Sequence, residues 1–300
     1  MILPPLLDEL LSSWISRQAA FVGLSCGRLL RHYNIEVQSV RDLDLSLSRY
    51  HAAMLAQVLR CSPHLIRNMT QSRGGRVRSR LVAIGQPPQI CRTCTRRHAS
   101  NALTRGARLR SWMEGWRITC PVCGAALEDF RLYTRLFQAA PSDALLGSIE
   151  SSARKGERIM DRASKQHCGG IAHAVLMRSL LLPQVPKNGA RVTAAVTPRL
   201  LNLVVPESEG FFRRLPPEIW PCTSRMLPLG VRAPVLAGVA AVSSRPEYWI
   251  AELVSSVVPS AQAGLTHCIR SVAAAQRSHP APKLAESRIF CGNLETRRSK

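Results

Sequence analysis

The sequence predicts a mainly α-helical protein. It is read as helical hairpins, or helix-turn-helix-like units, with a four-cysteine, zinc-ribbon-like module inserted among them. Three observations carry this. Apolar residues recur at helical spacing through much of the chain. Apolar content is 46% while aromatics are 5%, so the core is built from Leu, Val and Ala, which suits helices better than sheets. Two C-x-x-C pairs, Cys91–Cys94 and Cys120–Cys123, stand on either side of residues 95–119, the pattern that closes a tetrahedron of thiolates around one ion.

The first helix is expected from about Leu6 to Phe21. Leu7, Leu10, Leu11, Trp14 and Ile15 form its apolar face, with Asp8 and Glu9 near the N-terminus, where the helix dipole favours acids. Gly23 ends it, and Ser25 caps a short second helix through Leu30. Ser48 to Arg60 is the next helix. Cys61-Ser62-Pro63 makes a turn with Ser62 as N-cap and Pro63 at the first helical position. The following helix turns Leu65, Ile66 and Met69 inward and leaves Arg67 and Asn68 more exposed. Two readings stand: a helix-turn-helix with Arg67 and Asn68 as base readers, or a helical hairpin with a solvated polar face. Arg73, Arg76, Arg78 and Arg80, with Gly74 and Gly75, then form a basic loop able to track a phosphate backbone.

In the cysteine module the spacer is long enough for a hairpin or short helix of its own. The second pair reads Cys120-Pro-Val-Cys123-Gly124, and its Pro and Gly suit a tight turn. One structural zinc on Cys91, Cys94, Cys120 and Cys123 is the preferred reading, over buried free thiols or a redox pair. His98 is a substitute ligand that four cysteines make unnecessary. Arg105, Arg108 and Arg110 mix with Trp112, Trp116 and Arg117. Stacking on nucleobases is one use for such a mixture, but packing of Trp112 and Trp116 on the metal site is preferred.

Beyond the module, Leu127 to Phe137 and Ile171 to Leu182 read as apolar helices, the second ending at Pro183. Lys165 to Gly170 reads as a helix-capping loop; Cys168 beside His167 lacks the partner spacing of a nucleophile or ligand. Pro183 to Pro234 is proline-rich and irregular. Ala233 to Val242 reads as a helix, and Ser244-Arg-Pro-Glu247 as a capping box opening another with Tyr248, Trp249, Ile250, Leu253 and Val257. The organisation expected is a helical region over 1–85, a zinc-binding module over 86–130, a helical region with a proline-rich linker over 131–275, and a poorly ordered tail over 276–300.

The net charge is +22, with arginine outnumbering lysine 36 to 5. Codon bias alone would enrich arginine, but evenly. Between Arg60 and Arg117 there are thirteen arginines against one acid, Glu114, a net of +12 in about a fifth of the chain. That local excess points to a polyanion, most simply DNA, with Arg60, Arg67, Arg105, Arg108 and Arg110 as further contacts. Cys26, Cys61, Cys168, Cys222, Cys268 and Cys291 are scattered singly, as thiols of a reducing compartment are. The N-terminus lacks the basic start of a signal peptide. No apolar run approaches the ~20 residues that span a bilayer, so a cytoplasmic protein without a membrane partner is expected. There is no P-loop, H-E-x-x-H, G-x-S-x-G or Rossmann glycine pattern, and acids are too scarce for a two-metal nuclease site. No catalytic residues are assigned and an enzyme is not expected.

Asp8-Glu-Leu-Leu-Ser-Ser-Trp14-Ile-Ser-Arg17, followed by Gly23-Leu-Ser25, resembles the opening of the TniQ family, whose members begin with a similar E-S-L-S-S-W-L-x-R helix and a G-L-S turn. The order of C-x-x-C, a stretch with Trp112 and Trp116, then C-P, is also similar, and the resemblance covers about residues 3–130. The family often has His where Cys123 stands, an equivalent ligand. It often adds a further C-P-x-C downstream, absent here, so one zinc is expected. The resemblance implies a bacterial, nucleoid-associated accessory protein of transposition. Such a protein would help choose target sites by bridging DNA, or an RNA-guided CRISPR effector complex on it, to an AAA+ ATPase and transposase, in some cases as a homodimer. The alternative is a zinc-containing helix-turn-helix transcription regulator.

Overall fold

The computed structural model describes residues 2–37, 39–40, 42–45, 47–70, 89–129, 143–165, 169–185, 198–212 and 229–277. Across these residues the protein is mainly helical, and strand is confined to one two-stranded patch.

Five helices make the N-terminal unit: α1 (Leu11–Phe21), α2 (Cys26–His32), α3 (Asp42–Leu45), α4 (Arg49–Val58) and α5 (Pro63–Asn68). The serine caps act as the sequence suggests. Ser25, Ser48 and Ser62 accept hydrogen bonds from the backbone N–H of Arg28, His51 and Leu65, each satisfying a first-turn donor that the helix leaves unpaired. Gly23, at φ 72, makes the left-handed turn that ends α1. Leu11, Trp14, Ile15, Leu30, Ile35, Leu43, Leu55 and Ile66 form the core beneath.

Helix α1 starts at Leu11, not near Leu6. The reason lies far away in sequence. Asp8 sits at φ 61, outside helical space, and Glu9 bridges Leu109. The two acids are therefore not dipole charges. Asp8 accepts from Arg110 Nε and the Ser111 N–H, both at 3.0 Å. Glu9 is buried against Arg17, with Nη2–Oε2 2.6 Å and Nε–Oε1 2.7 Å. The opening segment is thereby stapled to the cysteine module before the helix begins.

In that module β1 (Gln89–Ile90) pairs antiparallel with β2 (Glu128–Asp129), Gln89 opposite Asp129 and Ile90 opposite Glu128. Helix α6 (Arg92–Ala99) follows β1 directly. The helix expected from Leu127 is thus a strand at its start, because Leu127 joins the cysteine cluster and residues 128–129 close the module; residues 130–142 lie outside the described set.

The C-terminal unit holds α7 (Asp143–Lys165), α8 (Gly169–Ser179), α9 (Leu200–Val204), α10 (Glu209–Phe212), α11 (Leu229–Ser244), α12 (Pro246–Val254) and α13 (Pro259–Arg277). Helix α11 is buried from Val231 to Ala240, as a sequence apolar but for Arg232 over that span requires. It begins four residues before the expected Ala233 and takes Pro234 inside it. It also runs through Ser244, whose hydroxyl donates back to the Ala241 carbonyl (2.7 Å), so Arg245 becomes the N-cap of α12 and the expected capping box does not form. Pro246 opens α12 as expected. Helix α8 starts at Gly169 and ends in a turn before Pro183; Cys168 lies outside the described residues, as do 278–300. Among the described residues, no helix is long and apolar enough to cross a membrane.

Candidate metal centre and basic surface

Each pair of cysteines is presented by a different local structure. Cys91 follows β1 and is the N-cap of α6, so Cys94 falls on the first helical turn and its N–H donates to Cys91 Sγ at 3.5 Å. Cys120 and Cys123 lie on a reverse turn. The Cys120 N–H donates to Ala125 (2.7 Å), the Gly124 N–H to Cys120 O (2.8 Å), and Gly124 takes φ 73. A side chain at 124 would oppose that backbone angle, which is why Gly follows the second knuckle.

The four sulfurs all lie within 4.8 Å of one another. Cys91 and Cys123 approach to 3.3 Å, Cys94 and Cys120 to 3.7 Å. These distances are far from the ~2.0 Å of a disulfide. They bracket, with the 4.8 Å upper bound, the edge of about 3.8 Å expected of a tetrahedron with ~2.3 Å metal–sulfur bonds. Three of the four cysteines are buried and Cys123 is half-buried. The set fits one closed, tetrahedral ion with no position left for a substrate, and an ion held so would stabilise the fold. Burial pushes the Cys91 thiol up to about 11 and Cys94 higher still, neighbouring thiols adding to both. Burial also acts on Cys120, but N–H groups of Cys123, Trp112 and Val122 more than offset it and hold that thiol below its usual value.

Two further side chains lie against the site, and Trp112 is one that the sequence places there. Trp112, in a 3₁₀ turn over Arg110–Met113, donates its indole N–H to Cys120 Sγ at 3.4 Å. His98 stacks on the Trp112 ring, centroids 6.4 Å apart, and is not among the clustered ligands. Trp116 departs from its expected place. The 3₁₀ turn breaks the i, i+4 relation with Trp112, and Trp116 buries itself in the C-terminal core with its indole on Asp161 (2.8 Å).

The module is bonded to both helical units. Glu157 of α7 accepts from the backbone N–H groups of Ile118 (2.9 Å) and Thr119 (3.0 Å) and from the Thr119 hydroxyl (2.6 Å). Arg117 lies between Glu114 and Asp161. Arg232 of α11, fully buried, reaches Gln89 Oε1 (2.5 Å) and the Arg117 carbonyl (2.8 Å). Nothing local marks Glu157, Asp161 or Arg232 in the sequence. A carboxylate on the apolar side of an amphipathic helix is the one available signal, and α7 carries two.

The arginines read as DNA contacts are placed less uniformly. Arg60, at φ 48, and Arg67 are exposed, as are Arg105 and Arg108. Asn68 is half-buried; its amide meets His64 Nδ1 at 3.0 Å and its carbonyl accepts from Arg110 Nη1 at 3.2 Å. Arg110 is committed to Asp8 as well. Arg73, Arg76, Arg78 and Arg80 lie outside the described residues.

Residues 1–141 match the family model described as TniQ. No curated protein and no solved structure matches the chain. The matched stretch holds the five-helix unit, its opening staple and all four cysteines, so the likeness to the TniQ family covers the N-terminal unit and the cysteine module.

Proposed function

We propose that the protein is a zinc-stabilised adaptor in transposition, which associates with DNA and bridges it, or an RNA-guided complex bound to it, to an AAA+ ATPase and transposase. The observation that carries this is the coincidence of the family match with a closed four-thiolate centre, which stabilises a binding scaffold and performs no chemistry. Zinc is the ion of choice for four thiolates in a tetrahedron without a redox role. The acids that bond the cysteine module to its neighbours support a non-catalytic reading. Asp8, Glu9, Glu114, Glu157 and Asp161 are each bonded to arginine, hydroxyl, indole or backbone N–H groups, and do not converge on an open metal position. The reading implies a cytoplasmic, nucleoid-associated protein, with a homodimer as the assembly to test.

DNA contact rests on exposed Arg60, Arg67, Arg105 and Arg108, with Arg73, Arg76, Arg78 and Arg80 in the adjoining basic stretch of sequence, outside the described residues. Binding to a duplex should weaken steeply between low and physiological salt as counterions are released. Affinity that stays flat over that range would remove the electrostatic reading. A second reading, the helix-turn-helix regulator, is favoured by the α4–α5 hairpin and exposed Arg67. Against it, α5 is six residues long and its C-terminal carbonyls are taken by α1 and Arg110. Selection from random duplexes separates the two: a sharp motif supports the regulator, and none supports the adaptor.

A further inference from the structure

Helix α7 sorts its charges by face. Two carboxylates in its C-terminal half, Glu157 and Asp161, turn toward the metal module, where they hold Ile118, Thr119, Trp116 and Arg117. Arg154, Lys155, Arg158 and Arg162 are exposed. Arg154 is paired with Glu150 at 2.7 Å across one turn, and this pair is itself solvent-exposed. Between Lys155 and Arg162 the outer face therefore carries cations without an exposed acid, although the helix sequence alternates signs. Lys155, Arg158 and Arg162 stand three and four residues apart, so their stems follow one another by about 4.5 and 6 Å along one side of the helix. Like charges at that spacing repel and oppose the helix that carries them.

From this row we propose a phosphate-contacting surface for duplex DNA on the outer face of α7, made by Lys155, Arg158 and Arg162. The inference rests on the DNA-associated reading above and extends it beyond the matched region. A straight row of equal charges complements a linear polyanion with regularly spaced charge. It does not complement a protein surface, where acids are interspersed with other groups. The helix that carries the row borders the cysteine module through its other face. His98, beside exposed Arg96 and Arg97 in α6, and Asp161 and Ser164 of α7 line the same cleft of about 570 Å³. Contacts of this kind position the protein on DNA without reading sequence.

The test uses the full-length, metal-loaded protein and a fluorescently labelled 30-base-pair duplex of arbitrary sequence, with affinity measured across a salt series. The variant is Lys155→Gln/Arg158→Gln/Arg162→Gln. A control with equal loss of charge elsewhere is Arg28→Gln/Arg245→Gln/Arg270→Gln, all at exposed positions. The surface predicts that the slope of log affinity against log salt becomes shallower by about 2 to 3 in the α7 variant, with at least a tenfold loss of affinity at low salt, and changes little in the control. The single Arg158→Gln change should lower the slope by about 0.9. It guards against a folding defect in the triple variant, with metal content and thermal midpoint as checks. An α7 variant that binds as the wild type does, or loses no more than the control, overturns the surface while the DNA-associated reading stands. A wild type without salt-dependent binding overturns both.

Discussion

Among the described glycines the closest approach is at Gly156 of α7, and substitution there should unseat the packing of the C-terminal bundle. A Cβ built at Gly156 lies 2.0 Å from the Leu236 carbonyl oxygen, 2.6 Å from its carbon and 3.0 Å from its Cα. All three atoms belong to the backbone of α11, so no rotamer change relieves the contact. Carbon and carbonyl oxygen approach to about 3.3 Å at best, so the helices must part by about 1.3 Å. The separation opens a core that includes Ala153, Met160, Val239 and Ala240. Overpacking of this kind costs about 1–3 kcal/mol, against a gain of about 1 kcal/mol in helix propensity. With backbone as the obstacle the cost falls at the upper end, and Gly156→Ala should lose about 2 kcal/mol. Gly147 provides the control. It is on the same helix and exposed, and a Cβ added there would meet nothing within 4 Å, so Gly147→Ala should gain about 0.5–1 kcal/mol. Urea unfolding of the full-length protein gives both values from the midpoints at constant m. A Gly156→Ala midpoint equal to or above that of the wild type would refute the close crossing of α7 and α11.

Four further outcomes are expected. Glu9→Gln leaves the Arg17 guanidinium, 4% exposed, without its counter-charge, and should destabilise the protein by about 3–5 kcal/mol in the same urea assay. Trp112→Phe removes the indole donor from Cys120 Sγ while keeping most of the ring; metal affinity, measured by competition with a chromophoric chelator, should fall by about 10-fold or more. Metal binding must displace protons from thiols, most strongly from Cys91, which burial raises to about 11, and from Cys94, raised further. Affinity therefore falls as pH is lowered, and a weakly buffered titration should record proton release. The metal-free protein has the opposite sign for Cys91. Its raised thiol contributes stability below the ordinary thiol value of 9.0 and loses it as pH rises from there toward about 11, which chemical unfolding of the chelated protein over that window should detect.

The residues whose structure is decided locally were legible. Two-residue spacing fixed the cysteine knuckles, and serine side chains fixed the starts of α2, α4 and α5, because caps and knuckles need partners only three residues away. What depended on distant partners was not legible. Asp8 and Glu9 look like helix-dipole charges until Arg110 and Arg17 claim them. Trp116 looks like a companion of Trp112 until Asp161 draws it into the other core. Glu128 looks like a helix start until Ile90 pairs with it. Pro234 looks like a boundary, yet burial of α11 on nearly every side carries the helix through it. At the site, the grouping of the four cysteines was readable, whereas Glu157 and Arg232, which bond the cysteine module to the C-terminal unit, were not: their bonds join residues that are remote in sequence.

Bridging is the central claim, and partner recovery tests it most directly. The tagged protein, purified from its own host after nuclease treatment and read by mass spectrometry, should carry an AAA+ ATPase, with a transposase or an RNA-guided effector complex alongside it. Removal of nucleic acid ensures that such partners are held by protein contacts. Recovery of the protein alone, with its metal bound and its fold intact, would contradict the adaptor and leave a free-standing DNA-binding protein in its place.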